Sequence, residues 1–249
     1  MTKIQDEFIS TISHEIRTPL TSIKGFSQTM LDNWEQLDDE KKKKFLTIIN
    51  EQSQRLIKLV ENVLNVAKID SAGVASGEEL VLREVDLERT VKKTLDLMKA
   101  SFKERDFTIT CSKAPLKVLC DEDYLQQILV NILENAVKYS RTGSKIKISF
   151  APCAEFNSIL ITDEGAGIAP EDLSKIFEKF YRADDLLTSK TQGSGLGLYI
   201  AQTLAMKMGG KIEVESELGL GAKFIVSLPV FEIEKLTRSA TKTPGGANV

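Results

Sequence analysis

One histidine occurs in the 249 residues of this chain, His14, between Ser13 and Glu15. Neutral imidazole is a nucleophile near neutral pH, so a histidine on the outer face of a helix can take an electrophile from a separate body. In an arbitrary helix a lone histidine is more often a surface residue or a satisfied core residue. A second group is Asn131, Asn135 and Lys138, whose i, i+4, i+7 spacing puts them on one helix face. Asparagine amides suit a hard cation such as magnesium, and lysine suits a phosphate. The plain alternative is a solvated face, because the opposite face is apolar. Third, Asp163 precedes Gly165 and Gly167, a pattern that fits an ordinary turn as well as a binding loop. Fourth, Gly193-Ser194-Gly195-Leu196-Gly197-Leu198 opens a helix-like stretch and offers backbone N–H groups at a helix N-terminus, where anions bind. That spacing is not the dinucleotide fingerprint, and no Walker lysine-serine pair occurs.

These groups need elements to position them. Ile9, Ile16, Ile23 and Met30 recur every seven residues, with Ile12, Pro19 and Phe26 three positions on, which predicts a heptad helix with His14 at its outer f position. Asn33–Asp39 breaks the pattern and predicts a turn. A second helix follows, with Phe45, Ile49, Leu56, Leu59, Val60, Val63 and Ala67 on one face. Two helices cannot enclose a core, but two such hairpins make a four-helix bundle, so a homodimer through residues 3–70 is expected. The divisions expected are a helical-hairpin dimerisation domain at 1–72, a linker at 73–79, an α/β sandwich at 80–231 and a disordered tail at 232–249. Within the sandwich, strands are expected at 80–85, 107–111, 116–119, 146–150, 158–162, 211–215 and 223–228, in one mixed sheet. Helices are expected at 87–103, 123–139 and 196–208. Leu125, Ile128, Leu129, Ile132, Leu133 and Ala136 form the inward face of the second.

In its order of motifs the chain resembles the sensor histidine kinases of two-component systems. His14-Glu15-Ile-Arg-Thr18-Pro19-Leu20 is similar to their phosphoacceptor H-box, a specific match inside a heptad helix. The resemblance implies that His14 accepts the γ-phosphoryl group of ATP and that Glu15 orients or deprotonates its imidazole. It also implies that Thr18 positions water for hydrolysis of a phospho-aspartate on a response regulator receiver domain. Adjacent helical side chains diverge, so Glu15 needs a bent rotamer to serve His14. Pro19 removes a backbone donor and is expected to bend the helix past the site.

Asn131-Ile-Leu-Glu-Asn135-Ala-Val-Lys138-Tyr139 resembles the family's N-box. It implies Mg²⁺ on Asn135, Asn131 and Lys138 near the phosphates, and Tyr139 packed by the nucleotide. Asp163-Glu-Gly165-Ala-Gly167-Ile168 resembles the G1 box, in which the aspartate accepts a hydrogen bond from the adenine amine. Phe177-Glu-Lys-Phe180-Tyr-Arg182 resembles the F-box, with Arg182 toward the γ-phosphate; Ala183–Gln192 would be a lid and Lys190 a weaker phosphate ligand. Gly193–Leu198 resembles the G2 box. Ala222 stands where a threonine is common in the closing strand. The resemblance spans roughly residues 3–230 and implies a Bergerat-type ATP-binding fold with ATP and Mg²⁺ as cofactors. Asn131 stands where related hydrolases carry a glutamate, which favours transfer to His14 over hydrolysis of ATP. The expected activity is protein-histidine autokinase, with transfer to a response regulator and a phosphatase function toward it. The alternatives are a phosphatase-dominant regulator, a non-catalytic dimeric adaptor, and an ATPase without an acceptor.

Thirty-three basic and 36 acidic residues leave a net charge of −3, which argues against a general nucleic-acid partner. The apolar runs fall far short of the roughly 18–20 residues that cross a bilayer, so this stretch is expected in the cytoplasm, with any membrane anchor upstream. Cys111, Cys120 and Cys153 have no zinc-site spacing and are expected to be small buried residues.

Overall fold

A computed structural model of the chain describes residues 3–71, 80–98, 102, 105–112, 114–141, 143–183 and 193–231. It divides into two compact units: residues up to 78 together with 178–200, and residues 79–177 together with 201–249.

In the first unit, helices α1 (Lys3–Asn33) and α2 (Asp39–Ser71) pack against each other as the heptad spacing predicts. α1 continues through the buried Pro19, whose missing N–H leaves the Glu15 carbonyl without its usual helical donor. The turn falls where expected. The Asn33 carbonyl accepts from Gln36 and Leu37, and Asp38 starts α2 by accepting the Lys41 N–H at 2.8 Å. That N–H, with the Lys41 ammonium 3.0 Å away, holds the Asp38 carboxyl below its ordinary value. Met30, Leu59 and Val66 are buried along the seam, and the Phe26 and Phe45 rings meet at 5.1 Å. Ile9, Val60 and Ala67, expected on the seams, are instead exposed. A single hairpin covers only part of an apolar stripe wider than one facing helix.

The second unit holds strands β1 (Arg83–Asp86), β2 (Asp106–Ile109), β3 (Lys117–Cys120), β4 (Lys145–Pro152), β5 (Phe156–Thr162), β6 (Lys211–Glu217) and β7 (Gly221–Pro229). Its helices are α3 (Leu87–Met98) and α4 (Glu122–Tyr139), and α5 (Gly197–Lys207) crosses the sequence boundary between the units. Five strands form a mixed sheet in the order β2-β4-β5-β7-β6, parallel only between β2 and β4. The expectation of one sheet is corrected: β1 and β3 form a separate antiparallel pair, with Val85 opposite Val118. Each is four residues long, and a lone bridge from Val118 to Val230 joins the pair to the end of β7.

All six residues assigned to the inward face of α4 are buried, with Val137 and Asn131 beside them. Asp121 caps its start, accepting the N–H groups of Asp123 and Tyr124 at 3.0 and 3.3 Å. At its end the Arg105 guanidinium donates to the carbonyls of Val137, Ser140 and Arg141, a cation against the negative end of the helix. Of the cysteines only Cys120 is buried, and burial pushes its thiol up to about 12. Cys111 and Cys153 are exposed, against expectation, because they stand just past the strand ends and not within them. Among the described residues no helix is long and apolar enough to cross a membrane. The expected linker at 73–79 and tail at 232–249 lie outside the described residues.

Candidate functional site

The acceptor candidate lies about mid-helix in α1. His14 is exposed, as the f position predicts. Thr18 is also exposed one turn on, and its hydroxyl donates to the His14 carbonyl at 3.3 Å. Glu15 turns the other way. Its side chain is 19% exposed and its carboxylate accepts from the Arg55 guanidinium of α2 at 3.2 Å. The expected meeting of Glu15 with His14 is therefore replaced in this structure by an interhelical ion pair. The divergence of neighbouring helical side chains is the reason. Nothing in the spacing of residues 15 and 55 marked Arg55 as part of the site.

In the second unit the end of α4 is tied to the Asp163 turn. Ser140 bridges to Gly165, and the Ala166 N–H donates to the Tyr139 carbonyl at 3.3 Å. A Cβ at Gly165 would stand 2.5 Å from the Tyr139 carbonyl oxygen and 2.7 Å from Asp163 Oδ1, so only glycine permits this closeness. Asp163 is 5% exposed. Its Oδ1 accepts the Gly165 N–H at 2.8 Å, and its own N–H donates to the Ala222 carbonyl at 2.9 Å. Burial raises the Asp163 carboxyl above its ordinary value, and backbone N–H groups of Gly165 and Ala222 directed at the carboxylate oppose the shift. Beyond Gly167, the Ile168 N–H donates to Ser216 Oγ at 2.9 Å, which in turn donates to the Gly221 carbonyl at 2.6 Å. Ser216 was not singled out from sequence. It braces the loop from a neighbouring strand.

The polar face of α4 departs from a solvated one. Asn131 is 8% exposed, and its Nδ2 is buried without a hydrogen-bond partner among the described residues. A native fold rarely leaves such a donor unmet, and a ligand acceptor such as a phosphate oxygen would meet it. Asn135 is half-buried one turn later. Lys138 Nζ lies 4.6 Å over the Tyr139 ring and 3.0 Å from its hydroxyl.

The remaining predicted residues belong to the first unit's second segment. The Phe180 N–H donates to the Gly195 carbonyl at 3.0 Å. Gly195 has φ +68, and a Cβ there would stand 2.6 Å from the Phe180 carbonyl carbon. Phe180 itself has φ +63, a conformation that is costly for a bulky residue and tends to mark functional loops. That strain has no sequence signature. Gly193 and Ser194 lead to Leu196, whose carbonyl accepts the Ile200 N–H at 2.9 Å, and Gly197 and Leu198 open α5. Arg182 is half-buried. Lys190 and all of the expected lid but Ala183 lie outside the described residues.

Two family models match the chain. His Kinase A (phospho-acceptor) domain matches residues 4–72, and histidine kinase-, DNA gyrase B-, and HSP90-like ATPase matches residues 120–232. Sensor protein SrrB of Staphylococcus aureus is 34% identical over 232 residues, which is 91% of this chain and 38% of the relative. The chain thus spans well under half the length of this relative. Among solved structures, histidine kinase ThkA in complex with response regulator protein TrrA superposes with a TM-score of 0.70 at 27% identity, over 90% of this chain and 61% of that one. Full-length ShkA in complex with AMPPNP gives a TM-score of 0.64 at 30% identity, over 91% of this chain and 46% of that one.

Proposed function

We propose a function from one premise: the chain belongs to the sensor histidine kinases, as the core that carries both their phospho-acceptor and their ATPase domains. It is an autokinase that moves the γ-phosphoryl group of ATP onto His14 and then passes it to an aspartate of a response regulator. The observation that carries this reading is the sole histidine, solvent-exposed in the phospho-acceptor match of a chain that also carries an ATPase match.

Asp163 accepts the adenine amine, and the amides of Gly193–Gly197 cradle the phosphates. The unmet Asn131 amide and Lys138 bind phosphate oxygens, with Tyr139 beside the nucleotide. Asn135 would hold Mg²⁺ through its side-chain amide oxygen, a donor that suits this hard cation. When bound, Mg²⁺ offsets charge on the phosphates. Lys138 and Arg182 add positive charge where the transferring group gains negative charge. An imidazole nitrogen of His14 attacks phosphorus in line, the bond to the ADP oxygen breaks, and the ring proton leaves to Glu15.

Thr18, exposed one turn from His14, supports a second activity, in which it positions water to hydrolyse the regulator's phospho-aspartate. The exposed apolar residues Leu20, Leu31, Ile57 and Leu64 support pairing of two hairpins into a four-helix bundle.

The test is incubation with γ-labelled ATP and Mg²⁺, beside His14→Gln. Acid-labile label on the parent and none on the variant is the expected result. Label that survives acid, or that persists on His14→Gln, would overturn the assignment.

A further inference from the structure

We infer that Arg55 is a positioning residue of the acceptor site: it holds the Glu15 carboxylate on α2, away from the imidazole that this carboxylate serves. The inference rests on the autokinase reading above. The two residues are 40 positions apart and meet across the hairpin, Arg55 Nη2 to Glu15 Oε2, at 3.2 Å. Both side chains are mostly covered, 24% and 19% exposed, so water screens this pair less than the exposed pairs of the same unit, such as Lys41 with Asp38. His14 meanwhile is exposed on the outer face.

Consecutive helical positions are about 100° apart, so one Glu15 rotamer cannot serve both partners. The carboxylate faces two exclusive choices. On Arg55 it is a structural anion. Turned to His14, it is a proton acceptor. What changes the balance is the geometry of α1 against α2. A small rotation between the helices lengthens the pair and frees the carboxylate. Pro19 stands four residues past Glu15, and the Glu15 carbonyl lacks its helical donor there. The helix is thus short of one backbone hydrogen bond at the residue that must move.

The test is single-turnover labelling over a range of ATP concentrations up to saturation for the parent, Arg55→Met, Arg55→Gln and Arg55→Lys, each also combined with Glu15→Gln. Helicity by circular dichroism and the unfolding midpoint identify any variant that misfolds, and Arg55→Gln stands in if Arg55→Met does. The expected result is label uptake roughly three- to tenfold faster in Arg55→Met, with KM for ATP unchanged. Arg55→Lys, which keeps a cation, should return most of the way to the parental rate. In the Glu15→Gln background the acceleration should vanish. A folded variant that is no faster, or an acceleration that persists without the Glu15 carboxylate, overturns the inference alone. A parent that takes no acid-labile label overturns the kinase reading and the inference with it.

Discussion

The hairpin and the α/β unit solve the problem of burial differently. α4 alone buries eight residues, while the described side chains of the whole hairpin bury Pro19, Met30, Leu59 and Val66. The α/β unit closes its own core because alternating strands and amphipathic helices face one another across a layer. The hairpin, half of the proposed bundle, presents Leu20, Leu31, Ile57 and Leu64 outward. The contrast extends to the chemistry. His14, the proposed acceptor, stands on an exposed helix face. Asp163, the proposed adenine ligand, is held in a turn stitched by hydrogen bonds on both sides of the residue.

Three measurements can break or sharpen that comparison. The largest effect is expected in the core of the α/β unit. Ile132→Ala should cost ~2–5 kcal/mol in denaturant unfolding, whereas Leu64→Ala on the hairpin surface should cost under ~0.5 kcal/mol to a lone chain. Leu64→Ala should act on assembly, so its midpoint should depend less on protein concentration than the parent's. Equal losses at both sites, independent of concentration, would remove the contrast.

An intermediate effect is expected at Asp163. Its folded carboxyl titrates above the ordinary value, so its contribution to stability is full below that ordinary value and is lost as pH rises through the folded one. At neutral pH, Asp163→Asn should therefore hold or raise the ligand-free melting temperature. The same variant should weaken ATP affinity roughly tenfold or more, because the adenine amine loses a charged acceptor. A lower ligand-free melting temperature with ATP affinity retained would reverse the assignment.

The smallest effect is expected at the hairpin turn, with Asp38→Ala. The Asp38 carboxyl titrates below 3.8, so its contribution is present above that value and is lost as pH falls through the folded one. The variant should show a slightly lower hairpin melting temperature at neutral pH, and the difference should shrink in acid. A difference that does not change with pH would point to the turn backbone instead of the charge.

Much of the fold could be read from residue periodicity. The inward residues of α4 and the turn between Asn33 and Asp39 follow from patterns within one element. So does the exposure of His14. The burial of Asn131 does not. Its spacing matches a solvated face, and whether that face meets water depends on what the chain folds over it. The same limit explains the β1–β3 pair, since alternation in four-residue strands does not name a neighbour. It explains Cys111 as well, because the strand expected to reach residue 111 ends at Ile109 and leaves the cysteine past its end.

Local spacing and residue type determined the helical seams, the ordered motifs and the family, because each depends on neighbours within a few positions. Only the tertiary structure decided that Glu15 sits on Arg55, that Tyr139 and Ser140 close onto the Asp163 turn, and that Phe180 takes a positive φ against Gly195. These pairings join residues 15–40 positions apart in the chain. What selects them is which surfaces must leave water together, and no single segment carries that information.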